Sequence, residues 1–154
     1  MKYFEDFAPG QVYALGTRRV TAEDIVAFAT RYDPQPFHVD EAAAGASMFG
    51  GLVASGWHTS AIFMGLLAAT IKRERWASLG APGIDRCRWT QPVRPGDTLQ
   101  GSIEVLETRP SRTRPFGLVR TRSRLTNQDG GQVLEIEGTG LYALTPQAGE
   151  AAPA

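Results

Sequence analysis

The chain has 154 residues, of which 42% are hydrophobic, and its 16 basic and 16 acidic side chains give a formal net charge of zero. This length suits one domain with a substantial core. The balanced charge argues against the basic surface of a nucleic-acid-binding protein. The single cysteine excludes an intramolecular disulfide. Neither a membrane span of about 20 apolar residues nor a secretory signal is visible, so we expect a soluble, cytoplasmic protein.

The first third of the chain predicts one strand and two short helices. A turn at Pro9-Gly10 leads into a strand over residues 11–20. A helix with Thr21 as its N-cap then runs to about Tyr32, because apolar residues recur at helical spacing. Two prolines forbid its continuation and stiffen the loop that follows. Another short helix is expected over residues 41–48.

A nearly continuous apolar stretch runs from Trp57 to about Trp76 and covers most of the circumference of a helix. A helix that is apolar all round is buried on most sides. Strands are expected over residues 86–89, 98–108, 118–126 and 132–144, with a strong hairpin turn at residues 127–131.

This order of helices and strands indicates an α+β fold. We predict a single hot-dog domain over residues 1–146, in which an antiparallel β-sheet wraps around a long central helix. An Ala- and Pro-rich tail, residues 147–154, is expected to be disordered.

Asp33 and His38 stand five residues apart on the proline-stiffened loop. Each alone is more often structural, Asp33 as a turn residue and His38 as a partly buried histidine. Together, a carboxylate and an imidazole are the side chains best suited to moving protons near neutral pH. The pair is therefore a candidate acid/base device that needs no metal.

Ser55 stands at the start of the long apolar helix. If it caps that helix, the N–H groups of Gly56, Trp57 and His58 have no intrahelical partner. Free amides at a helix N-terminus stabilise negative charge, such as that on the oxygen of an enolate-like intermediate. The alternative is a simple cap and tight turn.

Two further groups of residues are candidate binding sites. His38, Asp40 and His58 offer a metal-ligand set, but His58 follows Asp40 by only 18 residues, so we expect no metal. A run of arginines usually forms a solvated strand face, and it could also receive the phosphates of a nucleotide-like ligand. These arginines are Arg109, Arg112, Arg114, Arg120, Arg122 and Arg124.

Three segments together resemble the MaoC-like family of hot-dog hydratases, which includes the (R)-specific enoyl-CoA hydratases. The family motif Asp-x-Asn-Pro-x-His-x-Asp is matched by DPQPFHVD at residues 33–40. FGGLVASG at residues 49–56 is similar to the family's approach to its central helix. PVRPGDTL at residues 92–99 is similar to its "P-V-x-x-G-D-x-L" strand start. The resemblance covers the chain from about Phe4 to Ala143.

The resemblance implies an enoyl-CoA hydratase/dehydratase that adds water reversibly across the trans-2 double bond of an acyl-CoA thioester. Asp33 and His38 would be its catalytic pair, and the Gly56 N–H would bind the thioester carbonyl. The residues expected against the substrate are their neighbours: Gln35, Phe37, Ser55 and Trp57.

No separate cofactor is implied, because coenzyme A is part of the substrate. The implied assembly is a homodimer or a dimer of dimers. The acyl chain would lie in a tunnel near the subunit interface, with the coenzyme phosphates toward the surface near the arginines.

The sequence departs from the family pattern at two positions. Gln35 replaces the usual Asn, and Ser55 replaces the usual His before the glycine, while a histidine occurs instead at His58. These departures keep open the alternative of a non-catalytic acyl-CoA-binding subunit. A second alternative is a hot-dog acyl-CoA thioesterase, which shares the fold and the helix-end amides.

Overall fold

The structure is a computed structural model and describes residues 1–146. A short 3-10 helix, Phe4–Asp6, precedes the main elements. In chain order these are β1 Val12–Arg19, α1 Ala22–Tyr32, α2 Pro36–Val39, α3 Glu41–Ala46, α4 Gly56–Arg73, β2 Ser78–Gly80, β3 Ile84–Trp89, β4 Thr98–Pro110, β5 Phe116–Thr126 and β6 Gln132–Ala143. The tail expected to be disordered, residues 147–154, lies outside the described residues.

The strands form one six-stranded sheet in the order β1-β4-β5-β6-β2, and β3 also pairs with β6. Every pairing is antiparallel. The predicted hairpin turn between β5 and β6 is present: Asn127 N–H donates to the Gly131 carbonyl at 2.9 Å, and Gly130 N–H donates to the Asn127 carbonyl at 3.0 Å.

Alternate residues of the long strands face a common core against α4. Val119, Leu125 and Leu134 are completely buried there. The helix approaches the sheet closely at Gly101, where Leu66 lies 3.3 Å from the position that a Cβ would occupy. The predicted α+β hot-dog fold, an antiparallel sheet wrapped around a long helix, is confirmed.

The helix α4 differs from the prediction in the residue at which it ends. It ends at Arg73, not near Trp76, because Arg75 adopts a left-handed φ of 54°. Trp76 N–H then donates back to the Ile71 carbonyl at 2.9 Å, as at the end of a Schellman-type helix terminus. Trp76 therefore packs in the core beyond the helix.

The prediction that α4 is buried on most sides is wrong for the described chain. Trp57 is 61% exposed and Met64 is 54% exposed. The sheet and α1 cover only one side of the helix, so its outward stripe remains an apolar surface.

The segment between α1 and α3 was expected to be a loop, but it contains the helical turn α2. Pro36 occupies the first helical position, where its missing N–H costs no hydrogen bond. Asp40 N–H closes the turn on the Pro36 carbonyl at 2.9 Å. His38 is therefore held by helical geometry rather than by an irregular loop.

Among residues 1–146, none of the helices combines the length and the apolar character that crossing a membrane demands.

Candidate active site

A cavity of about 440 Å³ opens where the end of α1, the turn α2 and the N-terminus of α4 come together. Six of the seven predicted site residues line it: Asp33, Gln35, Phe37, His38, Gly56 and Trp57. The seventh, Ser55, is completely buried directly behind them. The structure thus brings together residues that are up to 24 positions apart in the chain.

Asp33 follows the last turn of α1 and is held through both carboxylate oxygens. Ser55 Oγ donates to Asp33 Oδ2 at 2.6 Å, and Gln35 Nε2 donates to Asp33 Oδ1 at 2.8 Å. The Ser55 hydrogen bond, followed by the Gln35 hydrogen bond, lowers the pKa of Asp33 below its ordinary value. Hydrogen bonds to the ionised form stabilise it, so Asp33 is a carboxylate at neutral pH.

His38 on α2 is only 6% exposed. Its Nδ1 lies 2.6 Å from the Val53 carbonyl oxygen, which can only accept a hydrogen bond. Nδ1 therefore carries a proton, and in the neutral ring Nε2 is the unprotonated nitrogen. Nε2 lies 3.5 Å from Asp33 Oδ2. Two proton acceptors thus face the same part of the cavity, an arrangement that can bind and deprotonate a water molecule.

The N-terminus of α4 supplies the third part of the site. Ser55 Oγ caps the helix by accepting the Trp57 N–H at 3.2 Å. Trp57 N–H is therefore not free, contrary to the prediction. Within residues 1–146, the Gly56 N–H has no hydrogen-bond acceptor. It can donate to a carbonyl oxygen bound in the cavity, and the positive end of the helix dipole favours negative charge there.

Trp89, at the end of β3, is a site residue that the sequence reasoning missed. A Cβ on Gly56 would lie 2.4 Å from Trp89 Cδ2, so only glycine permits the observed contact. The Trp57 and Trp89 rings pack edge to face, with centroids 5.3 Å apart. The available signal was an aromatic residue at the end of a short strand, directly before Thr-Gln-Pro.

Phe37 forms an apolar wall of the cavity. Its ring packs edge-on against His38, at 4.5 Å between centroids, and against Phe49 at 5.3 Å. These contacts fix the orientation of the imidazole and limit its access to bulk water.

His58 points away from this cavity, although it stands in the first turn of the same helix. It lines a separate cavity of about 560 Å³ between α4, α1 and β1. Its ring stacks on Phe28 with centroids 4.8 Å apart, and its buried Nδ1 has no hydrogen-bond partner among the described residues. Burial lowers the pKa of His58 below its ordinary value. We therefore interpret His58 as a neutral, packed histidine.

The two histidines thus belong to different cavities. Across residues 1–146, no group of three or more His, Cys, Asp or Glu side chains could hold a metal ion.

Three of the arginines considered as phosphate ligands already have carboxylate partners. Arg120 and Arg122 contact Glu137 at 3.0 and 2.9 Å, and Arg124 contacts Glu135 at 3.0 Å. None of the three is among the described residues that line the active-site cavity. The interpretation as a strand face is therefore confirmed for these three residues, and their guanidinium groups are engaged by the carboxylates of Glu137 and Glu135 on the neighbouring strand.

Comparisons with known proteins show the family of this chain. Residues 6–127 match the protein family described as the MaoC like domain. A 3-hydroxybutyryl-CoA dehydratase of Methylorubrum extorquens is 31% identical over 153 residues, which is 98% of this chain and 88% of that protein.

Two solved structures are also similar to this chain. The MaoC-like dehydratase from Rhodospirillum rubrum has a TM-score of 0.85 at 39% identity, covering 94% of this chain and 99% of that chain. An R-hydratase from Pseudomonas aeruginosa has a TM-score of 0.72 at 27% identity, covering 99% and 94% of the respective chains.

Proposed function

Because the chain belongs to the MaoC-like dehydratase family, we propose that it is an (R)-specific enoyl-CoA hydratase/dehydratase. This hydro-lyase adds water reversibly across the trans-2 double bond of an acyl-CoA thioester. The names of its relatives support this reaction class: one is a 3-hydroxybutyryl-CoA dehydratase and another is an R-hydratase.

One observation carries the proposal. The Asp33 carboxylate and His38 Nε2 lie 3.5 Å apart in the same cavity as the Gly56 amide. Hydration of an enoyl thioester needs a base for water and a hydrogen-bond donor for the carbonyl oxygen. The cavity supplies both from its own residues, which supports the proposal of a reaction that uses no separate cofactor.

The residues can carry out the reaction as follows. His38 Nε2 accepts a proton from a water molecule that is also bound by the Asp33 carboxylate. The water oxygen forms a bond to C3 of the enoyl group, and the electrons of the double bond shift toward C2 and the thioester carbonyl. The Gly56 N–H stabilises the resulting charge on the carbonyl oxygen. The proton then passes from the Asp33/His38 pair to C2, which completes the 3-hydroxyacyl thioester. Dehydration is the reverse.

The proposed assembly is a homodimer or a dimer of dimers. The exposed apolar stripe of α4, which includes Trp57 and Met64, supports association, since large exposed apolar patches commonly mark protein interfaces. Sedimentation of the purified chain tests this part independently of catalysis.

The reaction is tested with crotonyl-CoA and purified protein. We expect the absorbance of the conjugated enoyl thioester to fall while a thiol reagent detects no free coenzyme A. Chiral analysis should identify the product as (R)-3-hydroxybutyryl-CoA, and a chelator should leave the rate unchanged. Release of free thiol would instead indicate a thioesterase, and binding without either reaction would indicate a non-catalytic acyl-CoA-binding subunit.

A further inference from the structure

We propose that Trp89 separates the active-site cavity, called the first cavity below, from an apolar cavity that is distinct from the one beside His58 and is called the second cavity. Trp89 thereby restricts the substrate to short acyl chains of about four to six carbons. The inference rests on the proposed function for the identity of the ligand. It goes beyond that function by assigning chain-length selection to one residue.

The second cavity has a volume of about 230 Å³ and lies between α4 and the inner face of the sheet. Phe63, Met64 and Leu67 line it from the helix, and Ile103 and Ile136 line it from the strands. No Asp, Glu, Lys, Arg or His is among its described lining residues. Such a cavity suits a hydrocarbon chain better than a charged group.

Position along α4 relates the two cavities. Gly56, which lines the first cavity, is followed one turn later by Ser60 and two turns later by Met64, both of which line the second. Residues four apart lie on the same face of a helix, and four residues advance about 6 Å along its axis. An acyl chain whose carbonyl is bound at Gly56 therefore reaches the second cavity only beyond its first few carbons.

Trp89 stands at the boundary between the cavities. Its indole packs on Gly56, and its Nε1 donates to Ser60 Oγ at 3.1 Å. Cys87, the next residue on the same side of β3, places its Sγ 3.9 Å from Ser60 Oγ. Trp89, which is 46% exposed, lines the first cavity, and Ser60 lines the second. In the proposal this bonded pair is the partition. A longer chain would have to break this hydrogen bond and displace the indole against Trp57.

The test replaces Trp89 with alanine and measures kcat/KM for trans-2-enoyl-CoAs of four, six, eight and ten carbons. We expect the wild type to prefer the four- and six-carbon substrates. One buried methylene contributes about a fourfold change in binding. In Trp89→Ala, the eight-carbon to four-carbon ratio of kcat/KM should therefore rise at least about tenfold. Trp89→Phe and Ser60→Ala should shift the ratio in the same direction by less. These two milder variants keep the inference testable if Trp89→Ala does not fold.

Two further variants make the test specific. Phe49→Ala enlarges the first cavity at a residue that does not line the second, so the chain-length ratio should stay within about twofold of the wild type. Leu67→Phe added to Trp89→Ala, at a helix residue that lines the second cavity and packs against the core, fills part of that cavity and should cancel the gain in the chain-length ratio. An unchanged ratio in Trp89→Ala, Trp89→Phe and Ser60→Ala, with all three folded, would overturn the inference.

A binding measurement separates this inference from the proposed reaction. Calorimetry with saturated butyryl-CoA and octanoyl-CoA requires no hydration. A selective gain for octanoyl-CoA in Trp89→Ala would support the partition even if no enoyl-CoA were hydrated, an outcome that would defeat only the reaction. If the protein hydrated enoyl-CoAs but Trp89→Ala gained neither in the chain-length ratio of kcat/KM nor in affinity for octanoyl-CoA, only the partition would be wrong. If no acyl-CoA bound at all, both would be wrong.

Discussion

Ser55 Oγ lies 2.6 Å from Asp33 Oδ2, across 22 residues of sequence. The same hydroxyl oxygen accepts the Trp57 N–H at the start of α4, so Ser55 joins the carboxylate of the candidate catalytic pair directly to the candidate oxyanion site. Gln35 bonds the other oxygen of the same carboxylate. The two residues that depart from the family motif therefore both donate hydrogen bonds to Asp33. This argues that they still support the catalytic site, although through other side chains than the family's usual ones.

Ser55→Ala should change the pH dependence of catalysis. Its hydrogen bond is the largest cause that lowers the pKa of Asp33, so its loss should raise that pKa. Activity that needs the carboxylate is lost as the pH falls through its pKa. The acid limb of the kcat/KM profile for crotonyl-CoA should therefore move to higher pH. Gln35→Ala should shift it in the same direction by less, and an acid limb that does not move in Ser55→Ala would contradict this role.

Replacing either member of the catalytic pair should remove most of the activity. Asp33→Asn and His38→Gln should each lower kcat with crotonyl-CoA by about 100-fold or more, because general acid–base groups contribute on that scale. The double variant should be little worse than either single variant, since the two side chains act as a unit. Asp129→Asn, in the exposed hairpin turn, is the matched control. Near-normal turnover in a folded Asp33 or His38 variant would rule out the mechanism.

Replacement of two glycines of α4 by alanine should affect the enzyme differently: the activity should fall at one position and the stability should rise at the other. At Gly56 the new Cβ would meet the Trp89 ring at 2.4 Å, whereas at Gly65 nothing lies within 4 Å. Gly56→Ala should lower kcat/KM by about 10-fold to 100-fold, because the Trp89 ring and the amide donor must shift. Gly65→Ala should keep the activity and raise the free energy of unfolding by about 0.5–1 kcal/mol. Equal activity of both variants would show that the close approach at Gly56 is unimportant.

His58 should make the fold sensitive to mild acid. Burial lowers its pKa in the folded chain, while in the unfolded chain its pKa is about 6.5. Below that pH His58 binds a proton in the unfolded chain but not in the folded chain, so the free energy of unfolding falls as the pH decreases.

His58→Phe preserves stacking on Phe28 and removes the titrating group. Urea unfolding of the wild type and His58→Phe at pH 7.5 and 5.5 should show that the variant loses less stability on acidification. An identical loss in both proteins would mean that His58 is not the group responsible.

Much of the architecture followed from local chemistry. Thr21 caps α1 as predicted, with its Oγ1 accepting the Asp24 N–H at 3.1 Å. Ser55 caps α4, and the residues 127–131 form the expected turn. Caps, turns and strand alternation depend on neighbours a few residues away, so the sequence displays them directly.

Other features depend on distant partners. The tautomer of His38 follows from the Val53 carbonyl, 15 residues away. The partnering of the arginines on β5 follows from their register with β6, and the placement of His58 in a different cavity follows from its packing on Phe28.

By itself, the sequence determined the order of most elements, the hot-dog family and the seven predicted residues of the candidate site, since short-range patterns and a motif encode them. Only the tertiary structure decided that Ser55 and Gln35 hold Asp33 ionised and that Trp89 covers Gly56. Those contacts arise where α1, α4 and β3 meet, and their distances are set by the packing of helices on a sheet, which no local pattern specifies.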